Sequence, residues 1–160
     1  MPENNAVSWE AAIFCRYILS SLDRLFQCLE GLSEDQLNWH PPASNTNSIF
    51  ALTVHTMGNA EESLVHAIYD QPSQRNREQE FAAKAQDADE LAIHWQDLRE
   101  RLQRALLNLS PEQLAQEHAH PRRGSITGLA ILIIVARHCA EHLGQAELTR
   151  DLLMAGRISS

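Results

Sequence analysis

Four long segments of the chain carry apolar residues at the three- and four-residue spacings of amphipathic helices. These segments run over about Ser8–Glu30, Asn47–Tyr69, Gln86–Leu109 and Ser125–Met154. No stretch shows the strict alternation of apolar and polar residues that is typical of a half-buried strand. The pattern therefore predicts an all-α protein, and the third segment carries the regular apolar stripe of a bundle seam at Leu91, Trp95, Leu98, Leu102 and Leu106.

Two short connectors in the chain resemble each other. Leu32–Leu37 and Leu109–Leu114 both contain a Ser-x-x-Gln capping box, and they lie 77 residues apart. At the same offset, apolar positions of the first segment match those of the third, and Ser48 matches Ser125. We therefore predict a four-helix bundle built from two similar helix hairpins. The polar stretch Gln71–Glu80 then serves as a crossover link between the second and third helices.

Composition narrows the function classes. The 160 residues are enough for one domain with its own core, and we expect residues 1–160 to form a single domain. With 13 basic against 21 acidic residues, the net charge of −8 argues against nucleic acid or an anionic membrane as a partner. The three cysteines have no CxxC spacing, and Met1–Glu10 has no basic region followed by an apolar one. We expect a cytoplasmic protein.

Histidines supply the candidate chemistry. His138 and His142 lie four residues apart, so on a helix both imidazoles leave the same face about 6 Å apart along the axis. A pseudo-twofold axis between the hairpins would make the second and fourth helices antiparallel. His55 lies about four residues before the middle of its helix, whereas the other two lie shortly after the middle of theirs. We therefore expect His55 to face His138 and His142 across the seam.

Three neutral imidazoles in a buried seam suit a divalent metal ion, and three protein ligands leave one position for water or substrate. Asn59, Glu141 and Gln145 lie within two turns of these histidines and are candidates for hydrogen bonds around the ligands. The alternative is an incidental pair of histidines, because the HxxxH spacing also arises by chance on helices.

Three stretches of the chain, taken in order, resemble the DinB-like family over nearly the whole length. They are the segment Leu37-Asn38-Trp39-His40-Pro41-Pro42 ahead of Asn47-Ser48-Ile49, the segment Leu52–Met57 around His55, and His138–Arg150 with its His-Leu-Gly-Gln core. The resemblance implies a four-helix bundle, often a homodimer, in which His55, His138 and His142 bind zinc, nickel or iron. Members of the family often have a second histidine directly before the last ligand, where this chain has Glu141.

The resemblance also implies a reaction class. Related proteins include transferases and isomerases that use a low-molecular-weight thiol such as bacillithiol, mycothiol or glutathione. We therefore expect a metal-dependent enzyme, a thiol-dependent S-transferase or a related hydrolase or isomerase, that acts on a small electrophile. The alternative is a non-catalytic dimeric bundle with a structural or vestigial metal site. The residues do not identify the substrate, the thiol or the metal.

Several other residues have two interpretations. Trp39 either lines the substrate cleft or closes the end of the bundle. Cys139 either packs as a small apolar group or acts as a nucleophile with His142 as its base. His40, His118 and His120 lie in connectors and are expected to face solvent, and the alternative is that they line the mouth of a pocket. The run Leu129–Val135 is apolar all round its helix, which favours a dimer. The chain has no HExxH motif, and its predicted helices carry no Glu-x-x-His pairs, which argues against zinc proteases and di-iron bundles.

Overall fold

A computed structural model describes residues 8–86 and 88–158. Its α-helices are α1 (Trp9–Gln27), α2 (Glu34–Asn38), α3 (Ile49–Glu61), α4 (Arg77–Ala82), α5 (Ala88–Leu107), α6 (Pro111–Ala115) and α7 (Gly128–Ile158). α3 continues into a π-helical turn, Glu62–His66, and a 3₁₀ turn, Ala67–Tyr69. The strands β1 (Glu117–His120) and β2 (Gly124–Thr127) form an antiparallel hairpin. The predicted helical fold is confirmed, with this small hairpin as an addition.

The four long helices α1, α3, α5 and α7 form the bundle. The N–H of Ser8 donates to the C=O of Leu109, and Asp23 pairs with Arg99, so α1 and α5 run antiparallel. The apolar stripes of these helices meet in one core. Its largest fully buried side chains include Ile18, Leu22 and Leu25 from α1 and Leu98, Leu102 and Leu106 from α5. Burying each of these side chains contributes about 1.5–3 kcal/mol.

α3 and α7 pack against each other in opposite directions, as the pseudo-twofold arrangement predicted. His55 lies opposite His138 and His142 of α7. Glu62, which follows His55 in sequence, pairs with Arg122, which precedes α7.

The second and third long helices run in the same direction, because Glu61 pairs with Arg101 and the hydroxyl of Tyr69 donates to the C=O of Ala105 further along both. The chain must therefore return along the bundle between α3 and α5. The segment between those helices makes that return, which confirms the crossover link.

The two capping boxes form as predicted. In α2 the backbone N–H of Ser33 donates to the Gln36 side chain, and in α6 the backbone N–H of Ser110 donates to the Gln113 side chain. The bounds of α2 and α6 differ by 77 residues at both ends. The two halves therefore begin their second long helix after the same short capped helix.

The halves differ after these short helices. We expected the fourth helix to begin near Ser125, but Ser125 lies in β2 and α7 begins at Gly128. Gly124, with φ of 71°, lies in the left-handed region that glycine favours at a hairpin turn. At Gly128 an added Cβ would lie 2.5 Å from the C=O oxygen of Gln113, so close packing requires glycine there. Strands of four residues are too short for their alternation to stand out in the sequence.

The crossover is also more structured than its polar sequence indicated. Asn76 accepts a hydrogen bond from the N–H of Gln79 and caps α4. Nearby, the side chain of Asn38 exchanges two hydrogen bonds with the backbone of Ala85. These contacts hold the crossover against the bundle. None of the helices in the described ranges combines the length and apolar character that crossing a membrane requires.

Candidate metal centre

Three imidazoles meet between α3 and α7. The Nε2 atom of His138 lies 3.1 Å from the Nε2 atom of His55 and 3.1 Å from the Nε2 atom of His142. One ligand atom of each ring lies within 4.8 Å of the other two. His55 is buried, and the two histidines of α7 are half-buried. Tertiary packing thus brings together the three histidines that the sequence singled out.

The hydrogen bonds behind two of the rings determine which nitrogen carries the proton. Nδ1 of His55 lies 2.9 Å from a carboxylate oxygen of Glu80, and Nδ1 of His142 lies 2.8 Å from the side-chain oxygen of Gln145. Both oxygens accept, so each Nδ1 donates and each Nε2 keeps a free lone pair. Two lone pairs therefore point at the third imidazole. The predicted role of Gln145 in orienting a ligand fits this geometry.

The spacing of the nitrogens fits a bound cation. Two nitrogens at about 2.0–2.1 Å from a metal lie about 2.9 Å apart at a right angle and about 3.4 Å apart at a tetrahedral angle. The distance of 3.1 Å from His138 to each neighbour falls between these values. The three side chains are therefore close enough to hold a divalent ion.

Burial favours the neutral form of two of the three imidazoles. Burial, helped by the neighbouring His142 and His55, lowers the pKa of His138 to about 3. Burial also lowers the pKa of His55, although Glu80 favours the protonated ring. Neutral imidazole is the form that binds metals, so these two rings need not lose a proton first. Nδ1 of His138 is buried without a hydrogen-bond partner among the described residues.

Glu80 is held by a buried ion-pair network. Its carboxylate accepts from Arg75 at 2.6 and 2.8 Å, and Arg75 also donates to Glu62 at 3.0 Å. Burial disfavours the charge of Glu80, but hydrogen bonds from His55 and Arg75 outweigh it and lower the pKa of this carboxyl group. Arg75 also lies 3.2 Å from Nδ1 of His55, but that nitrogen already donates to Glu80 and cannot accept.

A ring and a glycine complete the contact between the crossover and α3. The side chain of Phe81 stacks on the ring of His55, with centroids 4.1 Å apart. At Gly58 an added Cβ would lie 2.0 Å from a carboxylate oxygen of Glu80. Only a residue without a side chain lets α4 approach α3 this closely.

The three histidines open into a cavity of about 390 Å³, within the size range of small-ligand sites. Asn59 and Glu141 line this cavity, as the sequence analysis anticipated for residues near the ligands. Oδ1 of Asn59 is buried without a hydrogen-bond partner in the described part of the chain. Trp39 is half-buried at the end of α2 and is not among the residues that line this cavity.

A second cavity of about 590 Å³ lies on the other side of Arg75 and Glu80. It contains none of the three metal-ligand candidates, and its polar lining includes Glu61, Glu62 and His66. Although this cavity is larger, the smaller one holds the converging lone pairs and is therefore the better candidate for chemistry.

Cys139 packs as a small apolar group. It is 1% exposed, and burial raises the pKa of its thiol to about 12. A thiol with that pKa stays protonated near neutral pH and is a poor nucleophile. The structure therefore favours the packing interpretation over the nucleophile hypothesis.

His118 and His120 point inward from β1, so the expectation that they face solvent is wrong. Nε2 of His118 donates to the C=O of Gln113 at 2.8 Å. Nδ1 of His120 accepts from the N–H of Arg122, which leaves its Nε2–H to donate to the hydroxyl of Ser63 at 3.1 Å. A histidine that donates to a serine cannot act as its base, so this pair is structural.

Sequence reasoning missed Arg75, Glu80 and Phe81. All three lie in or beside the crossover, which has no long apolar period. One local signal was present, since Asn76 precedes acidic residues at Glu78 and Glu80 in the pattern of a helix start. That signal predicts a short helix but not its contact with His55, which depends on tertiary packing.

Comparisons with known proteins agree with this architecture. The family model described as DinB superfamily matches residues 18–146. The crystal structure of the conserved protein of locus from Enterococcus faecalis is similar, with a TM-score of 0.69 and 17% identity. That match covers 90% of this chain and 96% of the other, and at this identity it shows a shared fold. A search of curated protein sequences found no match.

Proposed function

Because the chain belongs to the DinB superfamily, we propose that His55, His138 and His142 bind one divalent metal ion at the centre of an enzyme site. The observation that carries the proposal is the convergence of three Nε2 atoms, two of which keep free lone pairs. Among imidazole-binding ions, zinc, nickel and iron all suit such a ligand set.

The chain's own residues prepare this site. Glu80 and Gln145 hold the rings of His55 and His142 in the tautomer that presents Nε2. Phe81 covers one face of His55 and limits the access of water from the crossover side. When bound, a divalent ion with three protein ligands would offer a coordination position for water or a thiol and would lower the pKa of that molecule.

We propose that the reaction is the transfer of a low-molecular-weight thiol to a small electrophile, or a related hydrolysis or isomerisation. The cavity supports a small substrate because its volume of about 390 Å³ lies near the lower end for ligand sites. The buried Cys139 does not compete as a nucleophile, so an external thiol or water is the expected attacking group.

The rival function is a non-catalytic bundle in which the metal only joins α3 to α7. The cavity beside the histidines favours the enzyme, since a closed structural site needs no open volume beside its ligands. The two hypotheses differ in how much folding stability depends on the ion.

The first experiment is metal content by elemental mass spectrometry on untagged protein, with His138→Ala and His94→Ala as a matched pair. His94 is exposed on α5 and lies outside the cluster. We expect about one zinc, nickel or iron per chain in the wild type and in His94→Ala, and loss of the metal in His138→Ala. Absence of stoichiometric metal, even after reconstitution, would contradict the proposal.

His142→Ala then distinguishes the enzyme from the non-catalytic bundle with a structural metal. His142 is a better choice than His55, because truncating the buried His55 would also remove one of the hydrogen bonds that Glu80 accepts and open a space in the core. In the enzyme, we expect His142→Ala to lose metal affinity with little change in melting temperature. If the melting temperature of His142→Ala falls by many degrees, and chelation of the metal lowers that of the wild type equally, the metal is structural.

A further inference from the structure

Arginines surround the cavity at the three histidines. Arg75, Arg77, Arg122, Arg123 and Arg137 all line it, and Glu141 is the one acidic residue in the described lining. The chain as a whole has only 13 lysines and arginines and a net charge of −8. The positive cavity is therefore a local feature and does not follow from a basic composition.

Two of these arginines are compensated by carboxylates. Arg75 is 5% exposed in its side chain and pairs with both Glu62 and Glu80. Arg122 reaches Glu62 at 3.2 Å from the opposite side. These two arginines therefore have a structural role, since they compensate the charges of the buried carboxylates beside them.

The other three arginines have no such partner. No carboxylate oxygen of the described residues lies within 4.0 Å of the side-chain nitrogens of Arg77, Arg123 or Arg137. They come from separate elements, namely α4, the β1–β2 turn and α7. Arg77 lies over the ring of Phe81 at 4.9 Å, which positions its guanidinium at the edge of the site. Three distant parts of the chain thus bring unpaired cations to one cavity.

The proposed metal increases this imbalance. The five arginines outnumber Glu62, Glu80 and Glu141 by two charges, and neutral histidine ligands would leave both charges of a divalent ion uncompensated. Positive charge gathered in a cleft raises the local concentration of anions. Guanidinium groups bind carboxylates and phosphates through paired hydrogen bonds.

Resting on the proposed function, we infer that this enzyme's substrate or cosubstrate is an anion, and that Arg77, Arg123 and Arg137 hold its carboxylate or phosphate group. The anionic group lies at the rim of the cavity, and the reacting part of the molecule faces the histidines. A cavity of about 390 Å³ restricts the ligand to a small molecule. The arginines thus position one end of the ligand and select against neutral analogues.

Isothermal titration calorimetry at low ionic strength tests this inference on the metal-loaded protein. Succinate and inorganic phosphate serve as anionic probes, and succinamide serves as the neutral counterpart of succinate. We expect at least one anion to bind and succinamide not to bind. Arg123→Gln and Arg137→Gln should each weaken anion binding by about tenfold, because each removes a charge-assisted hydrogen bond.

Arg104→Gln is the matched control. Arg104 is an exposed arginine of α5, outside the cavity, and its removal should leave anion binding unchanged. If neither anion binds better than succinamide, or if the two cavity variants bind the anion as tightly as Arg104→Gln does, the inference is wrong.

Metal content measured on the same samples keeps the two proposals distinguishable. A chain that holds metal but shows no arginine-dependent anion binding retains the metal proposal and overturns the anion site. A chain without metal whose anion binding still depends on Arg123 and Arg137 overturns the metal proposal and retains the anion site. In His138→Ala we expect weaker metal binding, with the arginine-dependent part of anion binding preserved.

Discussion

Glu80 controls how His55 presents its ring. A neutral imidazole can carry its proton on either nitrogen, and only the tautomer protonated on Nδ1 offers a lone pair at Nε2. The carboxylate of Glu80, 2.9 Å from Nδ1 of His55, favours that tautomer. Arg75 in turn keeps the carboxylate ionised in a buried position. The metal affinity that we propose therefore depends on a residue that does not contact the ion.

Glu80→Gln should weaken metal binding about 10- to 100-fold, the usual effect of removing a carboxylate behind a histidine ligand. The amide can still accept from Nδ1 of His55, but it carries no charge to raise the basicity of the ring. Competition with a chromophoric chelator measures the affinity, and circular dichroism checks that the variant folds.

Glu78→Gln is the control for this variant, because Glu78 lies on the same short helix but is exposed. It should bind metal as the wild type does. Equal affinities in the two variants would mean that Glu80 does not tune His55.

At the scale of elements, the crossover is part of the site. α4 packs on α3, which lets Glu80 and Phe81 reach His55 and lets Arg75 reach Glu62. Glu62 begins the π-helical turn that follows α3, and such turns are frequent at functional sites. A segment that only connected the end of α3 to the start of α5 would need none of these buried contacts.

Gly58→Ala tests this docking. Its Cβ would lie 2.0 Å from the Glu80 carboxylate, so α4 must move or Glu80 must leave His55. We expect a loss of stability of about 1–3 kcal/mol, typical of overpacking, together with weaker metal binding. Chemical denaturation and metal titration measure the two effects.

Gly144→Ala is the matched substitution in α7, where nothing lies within 4 Å of the added Cβ. Alanine is the better helix former, so this variant should gain about 0.5–1 kcal/mol. If Gly58→Ala behaves like Gly144→Ala, the close approach of Glu80 does not constrain position 58.

At the scale of the whole molecule, exposed apolar side chains gather on α1 and α7. Trp9 and Tyr17 of α1 are 69% and 66% exposed, and Ile133 and Leu148 of α7 are 51% and 59% exposed. The two helices pack against each other. Exposed apolar patches of this kind often mark protein interfaces. We propose that they contribute to a homodimer.

Ile133→Lys should favour the monomer, because dimer formation would then bury a charge without a partner. We expect the dimer dissociation constant to rise by about tenfold or more, as measured by light scattering over a range of concentrations. Ile93→Lys is the control, because Ile93 is 70% exposed on α5. A monomeric wild type, or equal effects of the two variants, would contradict the proposal.

Much of this architecture is encoded locally. The apolar spacing of α1 and α5, the capping boxes at Ser33 and Ser110 and the HxxxH pair of α7 depend on neighbours within a few residues, so their sequence patterns predict them. The internal repeat predicted which helices pair, and that pairing put His55 at the height of His138 and His142. These features could be inferred because helix geometry converts spacing along the chain directly into position.

Contacts between distant segments could not be inferred in this way. Glu80 lies 25 residues from His55 in sequence, and no periodicity connects the two. The unpaired arginines come from α4, the β1–β2 turn and α7, and only packing brings them to one cavity. Local sequence thus determined the helices and the histidine ligands on them. Tertiary structure alone decided which side chains orient those ligands and what charge surrounds them, since both depend on how the crossover and the hairpin fold back on the bundle.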